Sequence, residues 1–364
     1  MLIGVTTFGG DGGKSGISQY IISLLREFSL LNSIGQNQID PHQYEVVTFE
    51  KEREIFTQPR SAFRTQTVGS RWQNTLANLL WHQTELPSLC REKGYEVLFL
   101  PAGNRRLPAY SPCPTVGTVH DFSSLHVAQK YDTAHLLYIK RVLPALVRRL
   151  NAVITISESS KQDIMEYAKV PEERIHVIPN GVNHALYHPQ PKQVAKLRIR
   201  AKYQIEAPYI LYISRIENPG KNHIRLIQAF DQLKQTHKIP HELVLVGSDW
   251  DRADEVHAFA RESQSANSIR FMGFTPIQDL PDFYNAADAF VFPSLYEGFG
   301  LPLLEAMHAG TPAICARAAS LPEVGGDAVV YVGAHDGRAL ASAIERCATD
   351  VAWRAELSAR GRAR

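Results

Sequence analysis

The chain has 364 residues, 44% hydrophobic and 21% charged, which is long enough for two well-buried domains and argues against disorder or a coiled coil. With 39 Lys plus Arg against 37 Asp plus Glu the net charge is +2, so composition makes no case for nucleic-acid binding. Cys90, Cys113, Cys315 and Cys347 are widely spaced with no Cys-x-x-Cys pair, which indicates neither a zinc site nor a disulfide framework and makes a reducing cytoplasm the default. Residues 1–7 lack the basic start and long apolar run of a signal peptide, and no stretch reaches the ~18 apolar residues of a membrane span, so a soluble or peripherally attached protein is expected.

Strand-like and helix-like segments alternate along the chain, the pattern of parallel sheets covered by helices. Strands are expected at 2–7, 44–49, 97–101, 115–119, 152–156 and 174–178. After the first comes Gly9-Gly-Asp-Gly-Gly-Lys-Ser15, which looks like a Walker A loop, but the spacing requires glycine at position 8, where Phe8 stands. It reads instead as a glycine turn opening a helix at 15–31, with Gly13 and Gly16 letting backbone N–H groups approach a phosphate or an acceptor. Arg53, Arg60, Arg64 and Arg71, around Phe56, Phe63 and Trp72, read as solvated loop residues or as a membrane-facing or acceptor-facing patch. His120 and Asp121 end the 115–119 strand, Ser157 and Glu158 cap a helix at 159–168, and Asn180-Gly181 forms a turn between domains.

A break at His188-Pro-Gln-Pro191 divides the chain into expected domains 1–188 and 189–364. Strands of the second half are expected at 209–213, 242–246, 269–272, 289–292 and 312–315, and His120, Arg215, Gly247, Gly273 and Glu297 all follow strands, where open parallel sheets bind ligands. The most informative stretch is Leu295-Tyr-Glu-Gly-Phe-Gly-Leu-Pro-Leu-Leu-Glu-Ala-Met307. Gly298 and Gly300 allow a tight turn after a strand, and Leu301, Leu304 and Met307 recur at helical spacing. The helix N-terminus suits an anionic phosphate, and Glu297 and Glu305 can accept hydrogen bonds from sugar hydroxyls.

This Glu-x7-Glu pattern resembles the signature of family 4 retaining glycosyltransferases of the GT-B fold. Further segments fit in the same order: the glycine loop, Val119-His120-Asp121, Thr155-Ile-Ser-Glu158, Val177-Ile-Pro-Asn-Gly-Val182, Ser214-Arg215 through Lys221-Asn222, and Ser320-Leu-Pro-Glu-Val324. Each is weak alone, the ordered set is strong, and the resemblance covers about residues 1–360.

The resemblance implies an α/β GT-B protein of two doubly wound Rossmann-like domains with an inter-domain cleft, the first on the acceptor side and the second holding a nucleotide sugar. It implies a metal-independent, retaining transfer of a hexose, mannose being the leading candidate, to a glycan or lipid-linked sugar. The donor is GDP-linked or UDP-linked, and no cofactor is needed. Arg215 and Lys221 would hold the diphosphate, Glu297 the sugar hydroxyls, Glu305 the ribose, and His120 the transferred sugar. Gly13, Gly16, Gly298, Phe299, Gly300 and Leu301 complete the donor site, with Phe274 stacking on the base. Ser214 stands where the family commonly has glycine. Asp249-Trp-Asp251 resembles the metal motif of the other glycosyltransferase fold but reads here as a solvated loop. Relatives continue past 353–360 and Gly361 into a helix that crosses back to the first domain, so the chain end at Arg364 reads as truncated. The alternatives are a GT-B phosphorylase or epimerase and a non-catalytic nucleotide-sugar or glycan-binding protein.

Overall fold

The computed structural model describes residues 1–364 apart from 11, 14, 35–41, 58–62, 128–136 and 238, so Lys14 and Arg60 lie outside the described residues. Two compact units form: Met1–Phe122 with Thr133–Asn180, and Gly181–Arg364 with Ser123–Asp132. The division falls inside the Val177-Ile-Pro-Asn-Gly-Val182 segment, and residues 181–188 go with the second unit.

In the first unit the order is β1 (Leu2–Thr6), α1 (Gly16–Ile34), β2 (Gln43–Phe49), α2 (Arg53–Phe56), β3 (Arg64–Val68), α3 (Thr75–Lys93), β4 (Val97–Leu100) and β5 (Thr115–Thr118). There follow α4 (Ser123–His126), which clusters with the second unit, and then α5 (Leu143–Val147), β6 (Ala152–Thr155), α6 (Glu158–Asp163) and β7 (Ile175–Val177). The sheet is parallel throughout in the order β3-β2-β1-β4-β5-β6-β7, so the direction of winding switches between β1 and β4. Its core gathers Val5, Ile21, Leu25, Tyr44, Val46, Phe56 and Phe99.

Phe56 is therefore a core residue and not part of a membrane-facing patch, and Phe63 packs against the same cluster. Arg71 instead lies 5.2 Å over the Trp72 ring, and Arg64 opens the edge strand β3. That strand escaped the sequence reading because Arg64, Thr65, Gln66 and Thr67 are all at least partly exposed and show no apolar alternation. Ser157 does cap α6, accepting from Ser160 N at 3.1 Å, but Glu158 is the helix's first residue and not the cap. The helix expected at 159–168 is regular only to Asp163, and 164–168 form a wider π turn.

The second unit contains α7 (Lys192–Tyr203), β8 (Tyr209–Ile213), α8 (His223–His237), β9 (Glu242–Val246), α9 (Ala253–Glu262), β10 (Ile269–Gly273) and α10 (Leu280–Ala286). It continues with β11 (Ala289–Phe292), α11 (Leu301–Ala309), β12 (Ala313–Ala316), α12 (Leu321–Gly325), β13 (Val330–Val332), α13 (Gly337–Thr349) and α14 (Val351–Ala363). Its sheet is also parallel, ordered β10-β9-β8-β11-β12-β13. Every residue of β8, β11 and β12 is buried, as strands covered on both faces must be, which explains their continuous apolar runs. The switch point lies between β8 and β11. Gly361 does not end the last helix: α14 runs through it, because its missing side chain lets the helix press on Met307 of α11, where a Cβ would sit 3.3 Å from Met307 Cα.

Candidate active site

The strand ends at the second unit's switch point send two loops toward each other, Ser214–Asn222 from β8 and Pro293–Gly300 from β11. They are tied at several points. Leu295 N donates to Gly220 O at 2.9 Å, Asn222 Nδ2 donates to Pro293 O at 3.0 Å and to Ala334 O at 2.8 Å, and the Tyr212 hydroxyl donates to Lys221 O at 2.8 Å. Gly247, just past β9, lets the loop after β9 lie directly against the start of the loop after β8. Its φ is +148°, and a Cβ there would lie 1.8 Å from Ser214 O.

These ties bring Lys221 and Glu297 together, with Nζ 2.7 Å from Oε1 and side chains 20% and 13% exposed. Burial pulls the Lys221 pKa down, but attraction to Glu297 and Glu217 outweighs it and holds the ammonium above its usual value. Lys221 is thus a fixed cation. Arg215 sits with its guanidinium carbon 4.3 Å from the centroid of the Trp250 ring, a cation–π contact. Trp250 is held there by two backbone bonds, Ile216 N to Ser248 O at 3.0 Å and Trp250 N to Ile216 O at 2.9 Å. The Asp249-Trp-Asp251 segment is exposed, as expected of a solvated loop, and it also supports Arg215, while Asp249 accepts from His257 Nε2 at 2.8 Å.

The Glu297–Gly300 turn is fixed from beneath by Ser320, fully buried, whose hydroxyl reaches Glu297 O at 2.8 Å and Phe299 O at 3.0 Å. Gly300 adopts φ +102°, and a Cβ would meet Leu321 Cδ2 at 2.7 Å. It starts α11, with Leu303 N and Leu304 N both donating to Gly300 O at 3.0 and 3.3 Å, while Pro302 brings no N–H. The positive end of this helix, at Gly300 and Leu301, faces out of the same turn that carries Gly298 and the buried Phe299. Glu305 follows on the helix and accepts from the Tyr284 hydroxyl at 2.8 Å. Burial pushes its pKa up to about 7, and the Tyr284 hydroxyl offsets this only in part.

In the first unit, His120 is buried at the end of β5, and its Nε2 donates to Pro101 O at 2.8 Å, which fixes the tautomer and leaves Nδ1 as an acceptor. Burial lowers its pKa, so the ring is neutral. Tyr20 meets it edge-on at 4.9 Å. Gly13 has φ +88° and its carbonyl accepts from Gln19 Nε2 at 2.7 Å, and Gly16 opens α1 with nothing near its Cβ position. Phe274 lies beyond the edge strand β10 and is 61% exposed. The structure thus joins Lys221 with Glu297 directly, and Glu305, Gly298, Phe299, Gly300 and Leu301 share the following turn and helix. Tyr284, Tyr187 and Trp250 were not singled out by the sequence reading, because an apolar aromatic pattern does not tell which hydroxyl or ring faces a charge. Among the described residues no group of three or more His, Cys, Asp or Glu is arranged to hold a metal ion, and no helix is long and apolar enough to cross a membrane.

Each unit is a doubly wound parallel sheet, an α/β organisation consistent with the GT-B fold. Residues 16–186 match the Glycosyltransferase Family 4 model, and residues 195–364 match the model of Glycosyl transferases group 1. The chain belongs to the family 4 glycosyltransferases of the GT-B fold. It is 32% identical over 247 residues to O-antigen chain mannosyltransferase B of Escherichia coli, covering 68% of this chain and 64% of that protein. A serotype-specific mannosyltransferase WbdA of the same organism is 31% identical over 255 residues, 68% of this chain and 31% of its own length. The matches therefore span less than two thirds of these relatives. Among solved structures, sucrose-phosphate synthase of Thermosynechococcus elongatus superposes with a TM-score of 0.75 at 21% identity, covering 100% of this chain and 93% of the other. HepE of Anabaena, solved with UDP and glucose, gives 0.74 at 20% identity and covers 100% and 94%.

Proposed function

We propose that the chain transfers a hexose, mannose first among candidates, from a nucleoside-diphosphate sugar to a glycan or lipid-linked sugar, with retention of configuration and without a metal ion. The observation that carries this is the Lys221–Glu297 pair, on the loops after β8 and β11, followed by the Gly300–Leu301 helix start. A departing diphosphate gathers negative charge, and Lys221, Arg215 and the helix N-terminus are preorganised positive groups at one set of strand ends. Glu297 orients the Lys221 ammonium and has its other oxygen for the sugar hydroxyls, Glu305 accepts from the ribose, and Phe274 covers the base. In the first unit, the acceptor-side domain on this reading, His120 offers Nδ1 to a sugar hydroxyl, and Gly13 and Gly16 give backbone access. For retention, the acceptor attacks the face the diphosphate leaves, and the leaving oxygen takes the acceptor's proton. Mannosyl transfer is named by the two Escherichia coli relatives, and the lipid-linked acceptor would bring the chain to a membrane surface peripherally, at its cytoplasmic face.

The first test is a thermal-shift screen of GDP-sugars and UDP-sugars. A donor held at a hundredfold above its Kd should stabilise the protein by about 2.7 kcal/mol, and no response to any nucleotide sugar would contradict the reading.

Chelation gives a second expected outcome. Because Lys221 and Arg215 supply the cationic stabilisation, EDTA should leave the rate of transfer unchanged. Loss of rate on chelation with recovery on adding manganese would instead put a metal at the diphosphate and bring Asp249 and Asp251 back as ligands.

The third concerns pH. The folded pKa of Glu305 is raised from 4.5 to about 7, so between these values the native state keeps a proton that the unfolded chain has lost, and stability falls as pH rises through that window. Glu305→Gln should remove that component of the fall, measured by urea denaturation at pH 5 and pH 8. A ribose hydroxyl donates best to the ionised carboxylate, so donor affinity should rise through about pH 7 in the wild type and stay flat in the variant.

A further inference from the structure

The loop that carries Arg215 and Lys221 leaves β8 at Ser214 and returns as α8 at His223. Ser214 is fixed through its backbone: its N–H donates to Val246 O at 2.9 Å, and its carbonyl lies against Gly247. Its side chain is the departure from the family, where glycine is common. The hydroxyl oxygen sits 3.3 Å from Nε2 of His223 and 3.1 Å from Arg215 O. His223 is 1% exposed, and its ring turns back to the loop it closes, 4.8 Å from the Tyr212 ring and with Nδ1 3.2 Å from Glu217 O. One imidazole, at the loop's end, thus meets both its first residue and its middle.

The protons follow from these contacts. A carbonyl oxygen only accepts, so Nδ1 carries the ring's hydrogen and donates it to Glu217 O. The charged or titratable groups facing the ring are Glu217 and Lys221 on the loop, Tyr212 on β8 and His257 on α9. Burial pushes the His223 pKa down to about 4, Lys221 and His257 push the same way, and Glu217 offsets them only in part. The ring is neutral, Nε2 is bare, and Ser214 donates its hydroxyl proton to it. A glycine at 214 would leave this buried acceptor unmet. A charged ring would instead donate from Nε2 to the Ser214 oxygen and turn the hydroxyl proton toward Arg215 O.

We infer that Ser214 and His223 act as one pair of positioning residues for a nucleoside diphosphate, bracing the 214–222 loop so that Arg215 and Lys221 are in place before the diphosphate arrives. The pair acts through the loop and not by contact with the ligand. This rests on the transferase reading above, and it gives the serine a role that glycine could not fill. Bracing matters because a side chain that must be ordered on binding loses part of its interaction to that ordering.

The test is calorimetric binding of GDP and UDP to the full chain and to Ser214→Ala, His223→Phe and the double variant, with binding of the parent nucleoside followed by saturation-transfer NMR. His223→Phe should weaken the nucleoside diphosphate that binds by about tenfold, the effect of hydrogen bonds lost at buried partners, and Ser214→Ala by about threefold. The double variant should be no weaker than His223→Phe alone, because residues that act as a unit are not additive. His223→Asn, whose amide N–H still reaches for Glu217 O, should recover part of the loss. If His223→Phe does not accumulate, Ser214→Ala and His223→Asn carry the same comparison. Nucleoside affinity should be unchanged in every variant, whereas a general loosening of the fold would lower both affinities. Nitrogen NMR of the ligand-free wild type should find the His223 hydrogen on Nδ1 alone at pH 7, with protonation of Nε2 only near pH 4. A ring charged at pH 7, a hydrogen on Nε2, additive losses in the double variant, or nucleoside and diphosphate weakened alike would overturn the inference. Unchanged diphosphate binding in the variants overturns it and leaves the transferase reading intact, while a wild type that binds neither nucleotide refutes that reading and the inference with it.

Discussion

Lys221→Met should lower kcat/KM for sugar transfer by about 10²–10³-fold, or ~2.7–4 kcal/mol, the effect of removing one preorganised donor from a developing oxyanion. It should also destabilise the fold. Glu297 is 13% exposed and would be left without its 2.7 Å counter-charge, a loss of ~3–5 kcal/mol for a buried pair broken on one side. The double variant Lys221→Met/Glu297→Gln separates the two effects, since neutralising both partners should restore much of the stability and none of the activity. Steady-state kinetics and urea denaturation on the three proteins check this. Near-wild-type turnover in Lys221→Met would take the lysine out of the chemistry.

Gly247→Ala is expected to have the largest effect on folding. Its φ of +148° is a conformation that side-chain-bearing residues rarely adopt, and the new Cβ would fall 1.8 Å from Ser214 O, a backbone atom that cannot step aside. The β8 and β9 loops would have to separate, which also pulls Arg215 off its Trp250 support. A stability loss above about 4 kcal/mol, or failure to accumulate folded protein, is expected. By contrast Gly12→Ala meets nothing within 4 Å and is opposed only by its φ of +64°, so it should cost about 1–2 kcal/mol. Comparable stabilities for the two variants would contradict the packing described around Gly247.

Much of the second domain's site was legible because its determinants are local. The strand, glycine turn and helix of 289–307 are contiguous, and the register of Glu297 and Glu305 follows from the turn and the helical period. What joins Lys221 to Glu297 is not local. The two residues, 76 positions apart, are brought together by the parallel pairing of β8 with β11, and only the family pattern signalled it in advance. The aromatic partners Tyr284, Tyr187 and Trp250 were opaque for a related reason: burial pulls such residues into the core whatever their hydroxyl or ring face does, so sequence shows the burial and hides the contact. Edge strands β3 and β13 are short and partly exposed, which removes the alternation that reveals a strand.

The central claim is that this chain moves a hexose from a nucleotide sugar onto an acceptor while keeping its anomeric configuration. Proton NMR of a reaction containing the purified chain, a nucleotide sugar that stabilises it and a mannoside acceptor follows donor and product anomeric signals together. The account expects the donor's α-anomeric signal to be replaced by an α-linked product signal, with stoichiometric nucleoside diphosphate and with no such change in Lys221→Met. A β-linked product, or a nucleotide sugar bound and never consumed with any mannoside or lipid-linked acceptor, would contradict it.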